Sequence, residues 1–159
     1  MRLLVAAVGQ RMPAWVQESW TEYARRFPRG LKLELKEIPL ARRGRNAATD
    51  ALCAAEGEAL LAAVPSGYRI VALDEGGRQW STRELARQLE SWMQEESGVC
   101  FLVGGPDGLA DACRQRARDV WSLSRLTLPH PMVRTILAEQ LYRAWTITQN
   151  HPYHREGSR

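Results

Sequence analysis

Cysteine is scarce in this chain of 159 residues. The three present, Cys53, Cys100 and Cys113, follow no CxxC spacing. An odd, unpatterned set argues against a disulfide framework or a zinc ribbon, and each thiol sits in an apolar or helical context expected of reduced core packing. Histidine is equally sparse: His130, His151 and His154 match neither zinc-finger nor HExxH spacing, so no metal site is expected. Long apolar runs are missing too. The uncharged stretch at residues 97–106 has ten residues, against the ~20 apolar residues of a spanning helix. No secretory leader is expected: the apolar stretch 3–8 is short, and charge returns at Arg11 without a small-residue cleavage site. The chain therefore reads as cytoplasmic, with no membrane partner.

Nucleotide motifs are absent as well. There is no GxxxxGK[ST], which argues against a P-loop hydrolase. Only Gly9 follows the first expected strand, where a Rossmann site needs GxGxxG. There is no GxSxG elbow. Repeats, linkers and low-complexity tracts are lacking. With 45% hydrophobic and 25% charged residues, disorder is excluded, and one domain over residues 1–159 is expected.

What is present begins with an uneven charge. Residues 1–50 hold ten basic and five acidic side chains, net +5, while 51–159 hold twelve and thirteen, net −1. Arginine supplies nearly all of the basic charge, a bias that genomic base composition alone can produce. Part of it gathers in a loop-like segment at Arg42, Arg43, Gly44 and Arg45. Guanidinium groups match phosphate oxygens bidentately, so these three arginines are candidate substrate contacts for RNA or DNA. The alternative is a solvated turn.

Periodicity predicts alternating strands and helices. Strands are expected over 3–8, 31–38, 68–73, 99–103 and 120–123, and helices over 13–27, 47–64, 82–95, 109–117 and 131–148. Ser81 and Glu84 fit a capping box. Residues 74–77 read as a turn, 126–131 as an extended loop stiffened by proline, and 150–156 as a polar tail. The order implies an α/β protein: a parallel sheet flanked by helices.

Ligands gather at the carboxyl ends of strands in open α/β sheets. Three such ends stand out: Leu73-Asp74-Glu75-Gly76-Gly77, Gly104-Gly105-Pro106-Asp107-Gly108 and Leu123-Ser124-Arg125-Leu126-Thr127-Leu128. The glycine pair lets backbone approach a ligand, or merely makes a tight turn. The third segment, apolar and stiff, makes a wall for a flat aromatic ligand.

At these residues the chain resembles the SPOUT class of S-adenosylmethionine-dependent RNA methyltransferases. The likeness rests on Val71-Ala72-Leu73-Asp74, Phe101 through Gly108 and Leu126-Thr127-Leu128-Pro129-His130. It continues through Glu139, Leu141, Tyr142, Arg143 and Ala144 into Asn150-His151-Pro152-Tyr153-His154. It reaches back to Val8-Gly9, Met12-Pro13, residues 22–27 and Arg43-Gly44. The resemblance implies a deep trefoil knot in the C-terminal half, against the general rule that chains do not thread loops. It implies S-adenosylmethionine held at Leu73, Gly104, Gly105, Leu123, Ser124, Arg125, Leu126, Thr127 and Leu128. It further implies a homodimer with a composite active site, methylating N3 of a pseudouridine in 23S rRNA within the 70S ribosome.

Methyl transfer from a sulfonium needs no acid for the leaving thioether. Positioning and desolvation are the main tasks. The N3 of a uracil-type base is a weakly acidic imide, so a general base helps by ~10²–10⁴-fold. His154 is the expected base, with His130 and Glu139 as other candidates. Tyr153 could stack on a base and Arg155 could hold phosphate; otherwise this tail packs against a helix or a partner subunit. His130 could instead cap the last helix, and Glu139 could pair with Arg143 at i+4. Arg134 is a candidate substrate contact, or else a surface salt bridge. Two other classes remain open on the residues alone: a non-catalytic RNA-binding protein, and a Mg²⁺-dependent nuclease using Asp74, Glu75, Asp107 and Asp111.

Overall fold

In the computed structural model, residues 1–42, 44 and 48–156 are described, with the backbone alone at residue 156. Among them, five strands form one parallel sheet: β1 (Arg2–Val8), β2 (Lys32–Ile38), β3 (Arg69–Gln79), β4 (Gly98–Val103) and β5 (Asp119–Ser122), in the order β2-β1-β4-β3-β5. The helices are α1 (Ala14–Ala24), α2 (Thr49–Ala63), α3 (Thr82–Glu95), α4 (Asp111–Arg116), α5 (His130–Thr148) and α6 (Tyr153–Glu156).

Side chains alternate across a strand, so a sheet buried on both faces needs apolar residues at every position. β4, Gly-Val-Cys-Phe-Leu-Val, is buried throughout. Val99, Phe101 and Val103 join Leu3, Val5 and Ala7 of β1 on one face. There they pack with Trp20 of α1, Leu85, Leu89 and Trp92 of α3, and Leu137 and Leu141 of α5. Cys100 and Leu102 join Ala6 and Val8 on the other face, with Leu60 of α2 and Cys113 of α4. The cysteines are all unpaired, as their sequence context suggests. Burial pushes the Cys100 thiol up to about 12 and Cys113 to about 11, so neither is a ready nucleophile.

The α3 start follows the sequence closely. Ser81 Oγ accepts from the Glu84 amide at 3.1 Å, and the Glu84 carboxylate accepts from the Ser81 amide at 2.7 Å. One expectation fails. Residues 74–77 are not a free turn but an excursion within β3, whose pairing to β5 jumps from Leu73↔Trp121 to Arg78↔Trp121. The extra residues leave the ladder and return, a bulge-like device that re-aims side chains at a sheet edge. After Pro152 the polar tail forms the single turn α6, with the Arg155 amide donating to the Pro152 carbonyl at 2.9 Å.

Candidate active site at the carboxyl ends of the strands

Three strands deliver their ends to one cavity of about 500 Å³. β3 contributes Leu73, Asp74 and Glu75; β4 contributes Val103 and the loop Gly104, Gly105, Pro106, Gly108 and Leu109; β5 contributes Ser122 and the loop beyond it. The volume is that of a small-molecule site, and the lining is mainly apolar with a few polar groups, as such sites are.

The walls have local causes. Gly104 passes so close to the returning chain that a Cβ on it would stand 2.5 Å from the Gly108 carbonyl oxygen. Only glycine fits there, and backbone forms the wall. Beyond β5, Ser122 Oγ donates to the Ser124 carbonyl at 2.9 Å, and Ser124 Oγ accepts from the Leu126 amide at 2.9 Å. These serine turns fold the segment over the cavity. Leu126, 74% exposed, stands at the mouth.

All three strand ends singled out from the sequence thus meet. Leu73, Gly104, Gly105, Leu123, Ser124, Leu126, Thr127 and Leu128 line the cavity. Arg125 does not: it is exposed and outside the lining, because the serine turn points it to solvent. Leu109, Ser122 and Val133 also line the wall, and sequence reasoning missed them. Val133 lies in the first turn of α5, where helical spacing alone does not separate a cavity-facing residue from a core one.

Arg134 requires a correction. It is not at the surface but buried, 1% exposed. Its guanidinium donates to the Gly9 carbonyl at 2.7 Å and pairs with Glu37 at 2.7 Å, with a longer contact to the Val8 carbonyl at 3.4 Å. It therefore pins the end of β1 to α5 and is not disposed to meet a substrate.

The tail stands apart from its own chain's cavity. The Tyr153 hydroxyl donates to Glu139 at 3.2 Å, and its ring packs edge-on against Tyr142 at 4.8 Å between centroids. Glu139 lies nine residues into α5 beyond His130, about 13 Å of helical rise. Arg26 and Arg143 flank the Tyr153 ring at 5.8 and 4.9 Å. Burial, then a hydrogen bond with Tyr23, raises the Tyr153 phenol above its ordinary value. Arg143 also pairs with Glu139 at 2.5 Å, the i+4 ion pair expected. His154, the expected base, follows Tyr153 in α6 and is not part of the cavity wall; Arg155 is exposed and donates to Asn150 at 3.1 Å. His130 does line the cavity, as the first residue of α5 after the capping position at Pro129. Of the arginine loop, Arg42 is exposed, while Arg43 and Arg45 lie outside the described residues.

The carboxylates do not assemble a metal centre. Arg114 donates to Asp74 at 3.1 Å and also pairs with Asp111, and Asp74 accepts from the Gly76 amide at 3.0 Å. Among the described residues no group of three or more His, Cys, Asp or Glu could hold a metal ion. No described helix is long and apolar enough to cross a membrane.

Comparison with known proteins adds to this geometry. Residues 1–154 match the family model described as "Predicted SPOUT methyltransferase". A protein from Methylococcus capsulatus, ribosomal RNA large subunit methyltransferase H, is 57% identical over 155 residues, covering 98% of this chain and all of that one. A probable methylase family protein from Haemophilus influenzae aligns with a TM-score of 0.54 at 11% identity, covering 96% of this chain and 69% of that chain. The last likeness speaks for the fold alone.

Proposed function

The chain belongs to the SPOUT methyltransferase family, and from that premise we propose that it transfers a methyl group from S-adenosylmethionine to N3 of a pseudouridine in 23S rRNA, acting on the assembled 70S ribosome in the cytoplasm. The observation that carries this reading is the convergence of three strand-end loops on one apolar cavity.

The residues present fit the cofactor. Leu73, Leu123, Leu126 and Leu128 offer apolar walls for an adenine ring, and Gly104 and Gly105 let backbone donors and acceptors reach its edge. Asp74 and Glu75 on the same wall favour the cationic sulfonium and ammonium groups. When bound, S-adenosylmethionine supplies a methyl group on positively charged sulfur. The chain's own residues orient the two reactants and exclude water, which is where most of the acceleration comes from.

The rRNA assignment draws on the name of the Methylococcus relative and on the basic first third of this chain. Arg42, Arg43 and Arg45 would hold phosphate. Tyr153, His154 and Arg155, remote from their own cavity, would serve the site of a second copy, so a homodimer is part of the proposal. The family also implies a deep trefoil knot in the C-terminal half.

The test is to incubate hypomethylated 70S ribosomes with the protein and methyl-labelled S-adenosylmethionine, then digest the 23S rRNA to nucleosides for mass spectrometry. Label in N3-methylpseudouridine is expected. Label in another nucleoside, or none, would refute the proposal.

A further inference from the structure

Methylation at an imide nitrogen requires that its proton leave, and the proposed reaction needs a group to take it. We propose that His130 is that base. This rests on the methyltransferase reading above.

The geometry is specific to this end of the sheet. His130 is half-buried in the cavity lining, between Pro129 and Pro131. Its Cε1 lies 3.7 Å from where a Cβ on Gly9 would stand. Gly9 has φ of +114°, a conformation that other residues rarely adopt. The loop after β1 thus turns away and leaves a place for the imidazole. One helical turn on, Arg134 shares the His130 face of α5. Arg134 ties that face to Gly9 and, through Glu37, to β2.

The charges around His130 also suit a base. Arg134 faces it from α5, with Glu37 of β2 paired to that guanidinium. Across the cavity stand Asp74, held by Arg114, and Glu75 of β3. Burial first, and Arg134 second, hold the imidazole below its ordinary value. The neutral, proton-accepting form is therefore the one present near neutral pH. Asp74 and Glu75 are the other ionisable groups on the wall.

The step balances. A neutral ring nitrogen of His130 accepts the N3 proton. The electron pair of the N–H bond stays on N3 and forms the bond to the methyl carbon. The carbon–sulfur bond breaks with its pair going to sulfur, leaving a neutral thioether. The imidazolium then returns its proton to water.

The experiment compares the full-length wild type with His130→Asn, His130→Ala and His154→Asn. Calorimetry with S-adenosylmethionine and single-turnover methylation of 70S ribosomes across pH are the first readouts. The third is the NMR titration of the His130 ring in the unloaded wild type. Expected are cofactor affinity kept within about threefold, a rate lowered by ~10²–10⁴-fold in both His130 variants, and partial rescue of His130→Ala by added imidazole. The His130 ring should titrate below the ordinary ~6.5. A His130→Asn rate within about threefold of wild type would overturn the proposal. So would a lost rate that imidazole does not restore, a ring titrating at or above 6.5, or loss of the acidic limb of the pH profile in His154→Asn alone. Wild type that neither binds the cofactor nor methylates would instead overturn the methyltransferase reading, and this proposal with it.

Discussion

Replacing Arg134 by methionine keeps most of the stem's apolar packing and removes the guanidinium. Two consequences follow from the structure. Glu37 loses its partner, but its side chain is 37% exposed, so water takes over and the loss resembles the ~0–1 kcal/mol of an exposed pair. The Gly9 carbonyl loses a 2.7 Å donor in a buried setting, at roughly 1–3 kcal/mol. Together these come to about 1–4 kcal/mol, centred below the ~3–5 kcal/mol seen when both charges are buried. At ~2–4 °C per kcal/mol for a chain this long, the melting temperature should fall by on the order of 10 °C. Circular dichroism melts and urea titrations of the two proteins measure it, with an unchanged urea slope showing that the unfolded state is the same. A variant that melts within about 2 °C of wild type yet fails on ribosomes would refute the reasoning. It would return Arg134 to the substrate-contact role its sequence position suggested.

Three further outcomes are expected. Ser81→Ala removes the acceptor that holds the Glu84 amide, and should cost ~1 kcal/mol in a urea titration; an unchanged midpoint would contradict the capping role. Buried and held near 11 and 12, Cys113 and Cys100 should resist a thiol reagent at pH 8 in the native protein, while half-buried Cys53 reacts first and all three react in denaturant; rapid native labelling of two thiols would contradict this. His130 is held below its ordinary value by burial and Arg134, so below about pH 6.5 the unfolded chain takes a proton that the folded chain resists. This contribution to stability is complete above that pH and falls away as pH drops towards the folded value. A stability profile of wild type identical to that of His130→Asn would contradict it.

Much of the fold was legible because the strands are buried on both faces. The unbroken apolar runs of β1 and β4, set between helices with clear stops, read directly as a parallel sheet. The three cavity loops were legible for the same reason: in such a sheet, whatever follows an apolar strand lies at one edge. Other features depend on contacts far apart in sequence. Nothing local to Arg134 says that its partners are Gly9 and Glu37, more than ninety residues earlier, so its sequence position reads equally as a substrate contact or a surface salt bridge. The β3 excursion at residues 74–77 carries turn residues, and only its pairing with β5 shows that the strand resumes at Arg78. The turn in the polar tail depends on Tyr153 finding its cover on Tyr142 and Glu139, contacts that periodicity does not register. Arg125 sits within a lining segment and points outward through a serine turn.

The central claim is that the cavity formed by the three strand ends binds S-adenosylmethionine. Calorimetric titration of wild type beside Gly104→Ala tests it most directly. The new Cβ would stand 2.5 Å from the Gly108 carbonyl oxygen, so the wall must shift, while a melting curve checks that the sheet remains. Saturable binding to wild type, weakened at least about tenfold in the folded variant, or ~1.4 kcal/mol, is the predicted result. Folded wild-type protein that binds no S-adenosylmethionine, or binds it as well with the wall displaced, would contradict the account.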